Sequence, residues 1–355
     1  MTVTGYRAGR VLAHLAVVLA AGCTAPGHPG SPPLATGSTN AAPADGPPGH
    51  ITVHEVSPQT ADPQATGPQD PSLAMPGARA GWNGRLVVFL PGTGDDPSCC
   101  QMLLTEAADL GFHVIGLSYD NSTAVALRCG NDLSCYGTVH QNVFTGTDAS
   151  SASKVPPADG IEHRLITLLS YLQRSYPREG WGRFLSHGLP RYGSIVMAGH
   201  SQGGAEAAFI ATQRTVAGVV TLSSPPDTDD RLRPASWLAG VPSGKTPVAR
   251  FFAFANRGDP YYDRISADWK AMGLTALGRP ASTGSTSPPY GRSHELISAV
   301  PVPPVGPAAA HNSTGDDNAQ PLCPDGSPEN APAWQYLLQA AAGLALTRST
   351  ATCST

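Results

Sequence analysis

The run IVMAGHSQGGAEAAF, residues 195–209, constrains this chain more than any other stretch. An unbroken apolar segment ends at Gly199. Ser201 follows inside a box of glycines, and the alanine-rich residues from Gln202 onward favour a helix. A strand that turns at once into a helix belongs to a parallel sheet with helices packed on it. The stretch GHSQG also fits G-x-S-x-G, in which a serine on a strained strand-to-helix turn projects its hydroxyl above the sheet edge. Gly199 and Gly203 remove side chains that would collide in that turn, and Gly204 and Ala205 let the helix pack close. The helix N-terminus aims amide groups at any negative charge forming beside Ser201. Ser201 is therefore expected to be a nucleophile and not a turn residue.

The same alternation runs through the chain. ITVHEV (51–56) alternates like an edge strand, and RLVVFLPG (85–92), FHVIGLSYD (112–120), VAGVVTLSS (216–224), PVARFFAFANRGDP (247–260) and HELISAVPV (294–302) read as strands. Helical spacing appears in CCQMLLTEAADLG (99–111), in 159–177 with Ile161, Leu165, Leu168, Leu169 and Leu172 on one face, in 202–214, in 263–274 and in 331–346. A long loop is expected between 120 and 158. Fully apolar strands interleaved with amphipathic helices predict an α/β protein: a mostly parallel central sheet flanked by helices on both faces. Residues 50–355 are expected to form a single domain.

The first residues read differently. Arg7 and Arg10 precede the short apolar run VLAHLAVVLAAG, which is the layout of an export signal over residues 1–22. LAAGC resembles the lipobox of bacterial lipoproteins, in which the cysteine, here Cys23, is acylated after cleavage. An ordinary signal peptide is the alternative. Residues 23–49 are rich in proline and glycine and poor in charge, so they read as a tether that buries no core. The chain is expected to be exported, as a cell-surface lipoprotein held to the membrane by its lipid anchor or as a secreted protein. Six further cysteines fit disulfides in such a compartment. A turn-rich spacer separates Cys129 from Cys135, and Cys323 and Cys353 flank the closing helix, so these two pairs are expected. Cys99 and Cys100 then form a vicinal bridge or stay as thiols, and a bridge from either to Cys129 is the rival.

On its apolar strands and its GHSQG corner, the sequence from about 80 to 346 resembles the α/β-hydrolase family. The resemblance implies a serine nucleophile after the fifth strand, an acid after the sixth or seventh, and a histidine after the eighth. A serine hydroxyl needs a base to take its proton. His200 adjoins Ser201 but points the wrong way from the corner. His294 lies at the start of the strand ELISAV, on the wrong edge of a parallel sheet. His311, in the polar segment AAAHNSTGDD, comes after that strand and is the implied base. Asp259, just beyond the seventh strand, is the implied orienting acid, with Asp227 after the sixth as the other position the family uses. The oxyanion hole is implied to use the backbone amides of Gln202 and Thr93. Thr93 lies in PGTG, which departs from the HGGG of some esterases.

The formal net charge is −4 with 14% charged residues and no basic stripe, which argues against a nucleic-acid partner. GTGDDP lacks the third glycine of a dinucleotide loop, where Pro97 stands instead, and AGVPSGKT (239–246) lacks the strand and helix a phosphate loop requires. No cofactor and no metal are expected. The expected activity is hydrolysis of carboxylic esters, small-molecule or lipid-like, by a monomer through an acyl-enzyme. A peptidase or acyltransferase of the same fold is the alternative enzyme, and a non-catalytic surface binding protein the alternative of another class. Specificity is expected in 120–158 and 227–247.

Overall fold

The computed structural model describes residues 51–77, 81–346 and 353. The expected signal peptide (1–22), Cys23 and the tether (23–49) lie outside the described residues. The strands of the main sheet are β1 (His54–Val56), β2 (Ser72–Met75), β3 (Leu86–Leu90), β4 (His113–Gly116), β5 (Ile195–His200), β6 (Gly218–Leu222), β7 (Phe251–Asn256) and β8 (Glu295–Ser298). Their order across the sheet is 1-2-4-3-5-6-7-8, with a two-residue strand, Ala281–Ser282, added beyond β8. β2 runs antiparallel to β1 and β4, and every pairing from β4 to the far edge is parallel. This strand order, with its single reversed strand and a serine corner after β5, is the α/β-hydrolase fold.

Burial on both faces explains why β3 is apolar throughout and β5 carries no polar side chain before His200. Leu86, Val88 and Leu90 face one core while Val87 and Phe89 face the other; Ile195 and Met197 are set against Val196 and Ala198 in the same way. Helices α1 (Gln101–Asp109) and α8 (Ala331–Ala341) cover one face. Helices α4 (Ile161–Ser175), α5 (Gln202–Gln213) and α6 (Tyr262–Ala271) cover the other. The apolar stripe of α4 is buried at Ile161, Leu165, Leu168, Leu169 and Leu172.

Three local expectations need correction. The segment after β4 is not one irregular loop, because it contains α2 (Val125–Cys129) and α3 (Cys135–Thr145), the latter closed by Gly146 in the left-handed region. Helix α2 is too short to show a period. In α3 the buried Tyr136, Val139, Val143 and Phe144 keep helical spacing that Gly137, Thr138 and the polar residues between them mask in the sequence. The short strand β2 is missing from the strands expected from the sequence, yet all four of its residues are buried. His311 lies not in open loop but in a four-residue helix, α7 (Ala309–Asn312).

Cys129 is bonded to Cys135, joining α2 to the start of α3, and Cys323 to Cys353. Cys99 and Cys100 are bonded to each other at the entry to α1, so neither is joined to Cys129.

Candidate active site

The corner after β5 forms because its glycines let two backbones meet. A Cβ on Gly199 would run into the backbone of Gly203, and one on Gly203 into the carbonyl of Leu90. Ser201 pays for the sharpness of the turn with φ 52° and ψ −123°, in the left-handed half of the map that a side chain rarely adopts. Gln202 is the first residue of α5.

His311 reaches this corner from α7. Its Nε2 lies 2.8 Å from Ser201 Oγ and its Nδ1 2.8 Å from Asp259 Oδ2. Asp259 is buried in the turn after β7, and its other oxygen, Oδ1, accepts the Tyr261 amide at 2.7 Å. With one carboxylate oxygen so occupied, the remaining oxygen is aimed at His311. That arrangement fixes Nδ1 as the protonated nitrogen and leaves the Nε2 lone pair to the serine hydroxyl. The Tyr261 ring packs edge-on against His311 with centroids 5.0 Å apart.

The other titratable candidates stand elsewhere. His294 packs flat on Phe252 and donates from Nδ1 to the Phe251 carbonyl at 2.8 Å, at the opposite end of β8. Asp227 lies 2.7 Å from Nε2 of His140, whose Nδ1 lies 2.8 Å from Glu206. Burial acts to push His140 down, but the charges of Glu206 and Asp227 outweigh it and hold the imidazole up at about 10. The Trp237 indole N–H also donates to Asp227, at 2.9 Å.

The loop after β3 closes over the corner. The Tyr119 hydroxyl donates to the Pro91 carbonyl at 2.9 Å, and the Asn121 amide group donates to the carbonyls of Gly92 and Asp95. The Gly94 amide donates to the Asn121 carbonyl at 3.0 Å. Gly92 must be small, since a Cβ there would lie 2.9 Å from His200 Nδ1 and 3.3 Å from Ser201 Cβ. The Thr93 hydroxyl donates to Gln202 Oε1 at 2.8 Å, which joins the two residues whose amides were expected to form the oxyanion hole. Sequence reasoning missed Tyr119 and Asn121, because nothing in FHVIGLSYDN separates a loop clamp from a strand end. Asp95, on the same loop, is pushed up to about 6 by burial, with help from the charges of Asp316 and Asp96.

No family model matches the chain, and no curated protein matches it. Solved structures do. A hormone-sensitive lipase from a metagenome library aligns at 13% identity and TM-score 0.34, over 64% of this chain and 71% of that one. A mutant of the esterase E40 aligns at 12% identity and TM-score 0.41, over 85% and 87%. An acetyl xylan esterase from Aspergillus awamori aligns at 12% identity and TM-score 0.36, over 70% and 93%.

Proposed function

We propose that this protein is a serine hydrolase that cleaves carboxylic esters, with Ser201 as nucleophile, His311 as base and Asp259 as orienting acid. The observation that carries the proposal is the pair of 2.8 Å contacts that places His311 between Ser201 Oγ and Asp259 Oδ2. His311 Nε2 takes the Ser201 proton as Oγ attacks the ester carbonyl. The oxyanion that forms is held by the amides of Gln202, at the N-terminus of α5, and Thr93. The tetrahedral intermediate collapses, His311 returns its proton to the departing alcohol, and the acyl group stays on Ser201. Water then attacks the acyl-enzyme with His311 again as base, and the acid leaves as Ser201 recovers its proton.

The exported, lipid-anchored state remains part of the proposal and rests on the LAAGC segment with Cys23. In that state the tether holds the catalytic body off the membrane.

A fluorophosphonate and a series of p-nitrophenyl esters of rising chain length test the proposal. Stoichiometric labelling of Ser201 and hydrolysis of at least one ester are expected. Failure of the folded protein to label would overturn it.

A further inference from the structure

We propose that Ser223, Ser224 and His200 are positioning residues that set the separation of nucleophile and base by holding their main-chain carbonyls. The proposal rests on the assignment of Ser201 and His311 above. The Ser224 hydroxyl donates to the Ser201 carbonyl at 2.6 Å. The hydroxyl of its neighbour, Ser223, donates to the His311 carbonyl at 2.7 Å. His200 Nε2 lies 3.0 Å from that same carbonyl and donates to it.

Two consecutive serines thus grip the two residues that must meet. Their Cα atoms are fixed about 3.8 Å apart by the peptide between them. Neither serine is free to drift. Both are fully buried, the Ser223 amide donates to the Phe254 carbonyl at 2.7 Å, and Ser223 sits at φ 48°. Since the Ser223 hydroxyl is spent on His311, Thr314 Oγ1, 2.9 Å away, is the donor in their contact. A Cβ on Gly204 would strike the Ser224 side chain, so the glycine after the nucleophile motif leaves the room that Ser224 occupies.

Satisfying buried carbonyls does not by itself account for the arrangement. The Ser201 carbonyl already accepts the amides of Gly204 and Ala205, at 3.1 and 3.2 Å, so the Ser224 bond is additional. The His311 carbonyl takes close side-chain donors from two different strand ends, Ser223 and His200, with the Thr314 hydroxyl farther off at 3.5 Å. His200 suits this task because it stays neutral. Burial, followed by the charge of His311, holds it down at about 3. A neutral ring with its proton on Nε2 leaves Nδ1 as an acceptor, and Nδ1 has no hydrogen-bond partner among the described residues. Nδ1 faces Gly92, so the same ring that steadies the base also limits how close the β3 loop may come.

The test compares the full-length protein with Ser223→Ala, Ser224→Ala, the double variant, His200→Gln and His200→Phe. A displacement of the order of 1 Å in a catalytic group lowers rate about 100-fold. Each serine variant is expected to lose about tenfold in kcat and the double about 100-fold, with KM unchanged within about twofold. His200→Gln keeps an N–H and is expected to retain more kcat than His200→Phe. The downfield proton resonance of the His311 Nδ1–H shared with Asp259 should broaden in the same order as kcat falls. Wild-type kcat in the double variant, or losses that follow Tm and vanish well below it, would overturn the proposal. Fluorophosphonate labelling separates the two levels. Labelled wild type with fully active variants defeats the positioning role alone, and unlabelled wild type defeats the hydrolase assignment with it.

Discussion

Asp227 lies 2.7 Å from His140 Nε2 and takes no part in orienting His311, which is held by Asp259. The fold offers an acid after β6 and another after β7, and in this chain the two have been given separate histidines. Asp259→Asn should therefore lower kcat by about three to four orders of magnitude, since the base loses the group that fixes its tautomer. Asp227→Asn should lower thermal stability and leave Ser201 reactive toward fluorophosphonate. Parallel kcat and Tm measurements on the two variants check this, and the reverse pattern would exchange their roles.

Ser201→Ala should abolish ester hydrolysis, a loss of several orders of magnitude in turnover, with Tm close to that of the wild type. Steady-state kinetics on a contaminant-free preparation decide it. Most of the activity surviving would remove Ser201 from the chemistry.

The His140 site makes stability depend on alkaline pH. Its folded value, about 10, lies above its ordinary 6.5. A group raised on folding contributes fully below its unfolded value, and that contribution is lost as pH rises through the folded one. Tm should therefore decline between about pH 6.5 and about pH 10 more steeply in the wild type than in His140→Gln. At neutral pH His140→Gln should be destabilised by about 3–5 kcal/mol, because Glu206 and Asp227 stay buried without their cation. Calorimetry across that range measures both effects.

Gly92→Ala tests the fit of the β3 loop against the corner. The new Cβ would lie 2.9 Å from His200 Nδ1, 3.2 Å from Asp95 Oδ2 and 3.3 Å from Ser201 Cβ, so the loop must retreat. With it moves the Thr93 amide. kcat should fall about 100-fold with little change in Tm, and a wild-type kcat would separate Thr93 from the oxyanion hole.

The bond between Cys323 and Cys353 closes a loop with a sequence separation of 30. Chain entropy predicts that Cys353→Ser lowers stability by about 3–4 kcal/mol. Denaturant unfolding with and without a reductant measures it.

The central strands were legible in the sequence because they are buried on both faces and the helices beside them carry a single apolar stripe, whereas β2 was missed. Ser201 was legible because a serine boxed by glycines between a strand and a helix has few other uses. His311 and Asp259 needed the strand count, and that count holds because β5 to β8 follow in simple succession. The clamps were not legible. Ser223 and Ser224 read as the polar end of a strand, and their value comes only from the carbonyls that the fold brings to them from residues 201 and 311. His140, Glu206 and Asp227 lie far apart in the chain, and no local pattern announces that they meet. Helix α2, at five residues, is too short to show a period. Helix α3 was missed although Tyr136, Val139, Val143 and Phe144 keep helical spacing, because Gly137 and Thr138 break its first turn and the polar His140 and Asn142 share its buried face.

That ion cluster has a kinetic consequence. His140 belongs to α3, Asp227 to the segment after β6 and Glu206 to α5, and all three are buried. Helix α3, bonded through His140 to Glu206 of α5 and to Asp227 beyond β6, cannot swing away from the sheet at an oil–water boundary without breaking both contacts at once. Ester turnover should accordingly rise hyperbolically with dissolved substrate and show no jump where the substrate begins to form micelles.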